Sequence, residues 1–166
     1  YEVDDVWRAV EFPLKWELIA TALEGVSAAD TVLFQDAGKW WMFTNISEGP
    51  VEDHCNELHV FSIDGPGLMR VTPHPLNPVV INSTTARGAG RILRRNGKLI
   101  RPSQINARGT YGWGLNLMQI TRLDMEGYEE RRLQSFAPDF KPGLIACHHT
   151  DSSGDLFVVD TCRAWG

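Results

Sequence analysis

A strand–turn–strand motif recurs three times in this chain at nearly even spacing, and it narrows the possible folds more than any other feature. The segments are Asp36-Ala-Gly38-Lys-Trp-Trp41, Arg95-Asn-Gly97-Lys-Leu-Ile100 and Ser152-Ser-Gly154-Asp-Leu-Phe157, with glycines 59 and 57 residues apart. Each turn separates two short apolar runs, and an alanine (Ala29, Ala89, Ala146) stands ahead of each first run. Self-similarity at a fixed long period marks a repeat architecture. The unit here is a strand, a glycine turn, a second strand and further β-rich sequence, which is the content of one four-stranded propeller blade.

The rest of the chain reads as all-β. Its short apolar runs are rich in β-branched and aromatic residues and bounded by Gly, Pro, Asn or Asp. No window of helical length holds a clean 3.6-residue apolar period. Fifteen glycines and nine prolines punctuate the chain at turn positions. Strands are expected at 31–35, 39–44, 57–63 and 69–73 in one blade (29–80), and at 90–95, 98–102, 112–121 and 128–135 in the next (89–137). Residues 144–162 supply the first two strands of a third unit, and residues 1–25 supply the last two, at 3–10 and 15–21. The chain thus starts and stops in mid-repeat, and its two ends are expected to share one sheet, within a chain or between two. The expected fold is a propeller-type repeat with about three blades' worth of sequence, either part of a larger ring or a ring completed by homo-oligomerisation. The acidic stretch 45–56 reads as a loop at one mouth. Residues 74–88 open with two prolines and read as a rigid blade-to-blade linker.

Bulk properties remove several function classes. The 166 residues are 43% hydrophobic and 22% charged, ordinary for one globular domain. No apolar run reaches the length of a membrane helix, so membrane insertion is not expected. No signal segment opens the chain, which favours a cytoplasmic setting without fixing the compartment. A net charge of −5 argues against nucleic acid as a partner. The basic cluster Arg94, Arg95, Lys98 and Arg108 reads as a solvated hairpin edge. The three cysteines, Cys55, Cys147 and Cys162, lack metal-type spacing and read as reduced thiols; a Cys147–Cys162 bridge would need an oxidising compartment. No phosphate-cradling loop, dinucleotide fingerprint or nucleophile elbow is present, so no cofactor and no metal are expected.

A longer set of segments carries a family resemblance. These are Phe12-Pro-x-x-Trp16, Ala29-Asp30-x-x-x-Phe34, Gly38-Lys-Trp-Trp41, Glu57-Leu-His-Val-Phe61, His74-Pro-Leu-Asn-Pro-Val79, Ala86-Arg-Gly-Ala-Gly90, Gly97-Lys-Leu-Ile-Arg-Pro-Ser-Gln104, Tyr111-Gly112 and Tyr128-Glu-Glu-Arg131. In this order, over residues 2–162, the chain resembles the N-terminal propeller of plant glucosamine inositolphosphorylceramide transferases. Bacterial proteins carry a similar domain, some beside formyltransferase-like domains. The family is related by fold to five-bladed glycosidases of the arabinanase and invertase type. The resemblance implies a partial five-bladed propeller in a carbohydrate context.

It also directs attention to particular residues. Asp30 matches the pKa-modulating Asp of the glycosidase relatives, which makes it the candidate catalytic carboxylate. The matching strand start at Ala89-Gly90-Arg91 has no acid, and glycoside hydrolysis needs two carboxyl groups. Glu48 and Glu52 are the remote substitutes. Asp30 would equally serve to bond turn amides. Arg87, Arg91 and Arg101 with Gln104 suit the anionic groups and hydroxyls of a sugar or sugar phosphate, with an arginine–acid network between blades as the competing role. Tyr111, Trp40, Trp41 and Trp113 would stack on sugar faces or pack between sheets, and adjacent Trp40 and Trp41 must face opposite ways. His148-His149 is expected to open a strand and bury one imidazole. The expected function is non-catalytic recognition of a carbohydrate or sugar phosphate at Asp30, Arg87, Arg91, Arg101, Gln104 and Tyr111. The alternatives are a glycosidase-like enzyme using Asp30 and a purely structural assembly module.

Overall fold

The computed structural model describes residues 5–47 and 53–164. Residues 1–4, Glu48 and Glu52 of the sequence reading lie outside the described residues. Strand β1 (Asp5–Glu11) pairs with β2 (Lys15–Thr21) in a hairpin of its own. A first antiparallel meander follows, with β3 (Ser27–Asp36), β4 (Lys39–Ser47), β5 (Glu57–Ile63) and β6 (Val71–Pro73) in sequential order; β7 (Val80–Ile81) returns to pair with β5. A second meander contains β8 (Leu93–Arg95), β9 (Lys98–Ala107), β10 (Thr110–Asp124) and β11 (Gly127–Phe136). Last, β12 (Leu144–Ala146) pairs with β15 (Cys162–Arg163), and β13 (Thr150–Ser153) pairs with β14 (Leu156–Val159). The described residues contain no helix. Among the described residues, the β1–β2 hairpin and the strands β12 to β15 form separate sheets and do not pair with each other within the chain.

All three recurring glycines lie in two-residue hairpin turns. Asp36 pairs with Lys39 and Arg95 with Lys98, around Ala37–Gly38 and Asn96–Gly97. Both central residues have positive φ, 47° and 78° in the first turn and 50° and 73° in the second. That is the type I′ pattern, whose twist matches antiparallel strands. The third turn is shifted by one residue: Ser153 pairs with Leu156, and Gly154 occupies the first central position at φ 59°, as a II′ turn requires. The repeat therefore keeps the hairpin and changes its turn type.

Three apolar clusters separate the sheets in chain order. Val6 and Ala20 of the first hairpin pack with Met42, Phe61 and Ile63. Trp41, Phe43, Leu58 and Val60 pack with Ala86, Leu99 and Ile120 of the next unit. Ala89 and Leu115 pack with Cys147 and Val159. The period-two alternation of a strand decides which cluster each residue joins. Trp41 and Phe43 face the second meander, whereas Trp40 and Met42 face the first hairpin.

Each of the two segments expected to be a connection contributes a few residues to the sheets. Strand β4 continues through Asn45 to Ser47. Asn45 is fully buried, and its amide donates to Glu57 O (2.7 Å) and Ala86 O (3.2 Å) while accepting from Gly88 N (2.8 Å). His74-Pro-Leu-Asn-Pro78 is a break in the fourth strand of the first meander. There the Asn77 side chain bonds both backbone groups of Val60: Oδ1 accepts its N–H and Nδ2 donates to its carbonyl, each at 2.8 Å, and the same carbonyl accepts the His74 N–H at 2.9 Å. His74, also buried, donates from Nε2 to Asp124 O at 2.8 Å and so ties this break to the second meander.

Candidate functional site

The site is built where β3 of the first meander meets the connection between β7 and β8. Strand β3 breaks register between Ala29 and Val32, and Asp30 within this break has φ 55°. Such a backbone is costly for a residue other than glycine and persists only where its surroundings hold it. Arg87 Nε donates to Asp30 Oδ2 at 2.6 Å, with the two side chains 15% and 27% exposed. Gly88 allows this approach: a Cβ there would stand 3.3 Å from both the Cβ and the carbonyl oxygen of Asp30. Gln104 fixes the same turn from β9. Its backbone N–H donates to Arg87 O (2.8 Å) and its Nε2 to Gly88 O (2.9 Å), while its Oε1 is buried without a partner.

The Arg87 guanidinium lies 5.0 Å from the centroid of the Tyr111 ring and donates from NH1 to Cys55 Sγ at 3.8 Å. Burial opposes its charge, but Asp30 and Tyr111 outweigh burial and hold its pKa above the ordinary value. Burial pushes the Cys55 thiol up, and its hydrogen bond with Asp53 adds to the shift. Asp53 moves the other way, because the Cys55 backbone N–H donates to its carboxylate at 2.9 Å. Beside this group opens a cleft of about 290 Å³ lined by Asp53, Cys55, Asn56, Ser83, Asn106 and Tyr111. Tyr111 is 50% exposed. Asn106 accepts the Gly112 N–H at its Oδ1 (2.7 Å), and its Nδ2 is buried with no partner.

Asp30, Arg87, Gln104 and Tyr111 thus lie together, whereas Arg101 and Arg91 do not join them. Arg101 is 2% exposed. Its Nε and NH2 grip Glu130 at 2.9 and 2.6 Å, NH1 donates to Ala86 O at 3.1 Å and NH2 to Thr85 O at 2.7 Å. The fork is spent inside the protein, where Tyr128 OH adds a 2.6 Å bond to the same Glu130. Arg91 is 63% exposed along its side chain and bonds Asp151 (2.9 Å) and Ser152 O (3.1 Å). Arg94, expected on a free edge, reaches Asp36 (2.8 Å) and Gln35 O (3.0 Å). Arg91 and Arg94 thus bridge neighbouring sheets, whereas Arg101 pairs with an acid of its own sheet and with the connection that precedes it. Arg108 of the same cluster lies over the Trp113 ring at 4.5 Å.

The histidine expectation is also corrected. His148 and His149 lie between β12 and β13 rather than in a strand, and neither is buried; Cys147 and Thr150 beside them are. All three cysteines are free thiols. Among the described residues no group of three His, Cys, Asp or Glu side chains is placed to hold a metal ion, and no helix is long and apolar enough to cross a membrane.

Residues 3–143 match the model of the family described as glucosamine inositolphosphorylceramide transferase 1, N-terminal. The chain belongs to this family. It is 31% identical over 171 aligned residues to glucosamine inositolphosphorylceramide transferase 1 of Oryza sativa subsp. japonica, an alignment covering 95% of the chain and 22% of that relative. The protein of the same name from Arabidopsis thaliana is 28% identical, with 96% of the chain and 22% of the relative covered. The chain therefore spans about a fifth of the length of these relatives. No solved structure matches it. The family match spans the Asp30 and Arg87 cluster.

Proposed function

We propose that this is an accessory domain of glycan modification that binds a carbohydrate or sugar phosphate at the Asp30–Arg87–Tyr111 mouth, and that its sheets are successive blades of a propeller-type ring. The arrangement in support is two meanders with sequential strand order and apolar clusters between consecutive sheets. One observation carries the ligand reading: Asp30 is held in a costly backbone conformation, its carboxylate anchors a largely buried arginine, and that arginine lies on a half-exposed aromatic ring beside a cleft. An aromatic face for C–H groups and fixed polar groups for hydroxyls are what a sugar requires. Binding without cleavage is favoured because general acid catalysis needs a carboxyl group held protonated. Asp30 is engaged as an ion-pair acceptor, and Asp53 is shifted toward ionisation.

The test is a glycan array followed by calorimetry on the hits. Asp30→Asn is expected to weaken binding by about tenfold, since Arg87 loses its charged anchor. An array without hits would overturn the ligand reading. Steady glycoside turnover abolished by Asp30→Asn would replace it with the enzyme reading.

A further inference from the structure

We propose that His148, oriented by Asp160, forms a second wall of this mouth and accepts a sugar hydroxyl at Nε2, and that the mouth prefers an uncharged sugar to its phosphate. The inference rests on reading the mouth as a carbohydrate site. Asp160 fixes the histidine in two ways. Its Oδ2 stands 2.6 Å from His148 Nδ1, and its Oδ1 accepts the backbone N–H groups of His148 (3.0 Å) and His149 (2.7 Å). With Nδ1–H given to a carboxylate, the neutral imidazole presents Nε2 as an acceptor.

The imidazole meets the Tyr111 ring edge-on, centroids 5.4 Å apart, on the same residue that Arg87 overlies. The backbone is shaped for this approach. Cys147 N donates to Gly112 O at 3.1 Å. Gly112 has φ 59°, and a Cβ there would lie 2.2 Å from the Cβ of His148. Only glycine lets the two loops close in this way. The imidazole itself is 39% exposed, so its orientation is not the by-product of core packing. Asn106, whose Oδ1 holds the Gly112 N–H, lines the same cleft. An acceptor and a half-exposed ring together fit the hydroxyls and C–H face of a sugar.

Charge selects the ligand further. Asp30 neutralises Arg87, Asp53 lines the cleft, and Asp160 backs His148. Among these groups the carboxylates outnumber the Arg87 guanidinium. A phosphate would meet like charge there, and the one arginine is already paired.

The experiment titrates the chain, labelled in its histidine rings, with methyl glycosides of the common hexoses and with the matching hexose 1-phosphates, followed by NMR. A neutral glycoside is expected to shift the His148 ring signals saturably, and its 1-phosphate to bind about tenfold more weakly. His148→Ala should lose about tenfold in affinity, and His148→Gln, which keeps an acceptor, should recover most of it. Should the alanine variant fail to fold, His148→Phe against His148→Gln keeps the comparison decisive, because both fill the space on Tyr111 and only glutamine accepts. Glycoside binding untouched by loss of the acceptor, or tighter binding of the 1-phosphate, overturns this inference and leaves the carbohydrate reading standing. Binding of none of the sugars overturns both.

Discussion

Replacing Arg101 with methionine isolates what the buried fork contributes. Arg101→Met keeps a long side chain between the sheets and removes the charge. Glu130, itself 7% exposed along its side chain, is then left without its partner, and the carbonyls of Thr85 and Ala86 lose their donor. Breaking a buried pair from one side costs about 3–5 kcal/mol, because the surviving charge is uncompensated. For a chain of this size each kcal/mol moves the thermal midpoint by roughly 2–4 °C, so a fall of about 6–20 °C is expected. Adding Glu130→Leu removes the stranded charge and should recover most of the loss, since apolar replacement of a whole buried pair is often near neutral. Recovery stays incomplete because Tyr128 OH also gives up its acceptor. Arg91→Met, at an exposed pair, should cost no more than about 1 kcal/mol. The assay is urea unfolding followed by circular dichroism and by tryptophan fluorescence, to which Trp41 at this junction contributes. A cost below about 1 kcal/mol for Arg101→Met, or a double variant no more stable than the single, would refute the reasoning.

Asn77→Ala should cost about 1–3 kcal/mol in the same assay, because the N–H of Val60 loses its acceptor and the Val60 carbonyl keeps only the His74 N–H; wild-type stability would show that water replaces the amide without cost. The Asp53 carboxyl should titrate below the ordinary aspartate value of about 3.9, owing to the N–H of Cys55. A depressed folded-state pKa means that its contribution to stability is present above the unfolded value and is lost as pH falls through the folded one. Carboxyl-carbon NMR showing a midpoint at or above about 4 would contradict this assignment.

Local chemistry explains what could be read from the chain. The glycine turns were legible because a two-residue hairpin needs positive φ, a demand met within the turn itself. The pairing of Trp40 and Trp41 with opposite sides followed from strand alternation alone. Arginine roles were not legible in the same way. Arg87 and Arg101 both stand in short Arg-Gly or Arg-Pro contexts, yet one lies in the mouth and the other in the interior. That difference depends on Asp30 and Glu130, which are 57 and 29 residues distant. Asn45 was hidden by the acidic residues that follow it, which made the stretch look like solvent-facing loop. His148 was hidden by an assumption of strand geometry; the chain bends there because Asp160 collects two successive N–H groups. Gly112 held a local clue, a glycine directly after an aromatic residue, but its meaning required the partner loop.

The interrupted fourth strand of the first meander also determines how that sheet meets other chains. An outermost strand with free N–H and C=O groups is a template for a foreign strand. Here Pro73, Pro75 and Pro78 fall within the segment, and none can donate a bond outward. Between β6 and β7 the side-chain amide of Asn77 interrupts the backbone bonds that His74 and Val79 make to β5, so the ladder has no continuous rail to copy. The same five-residue break that ties this sheet to its neighbour through His74 therefore blocks its growth by strand addition, and it protects the domain from edge-to-edge aggregation without a charged residue at that edge.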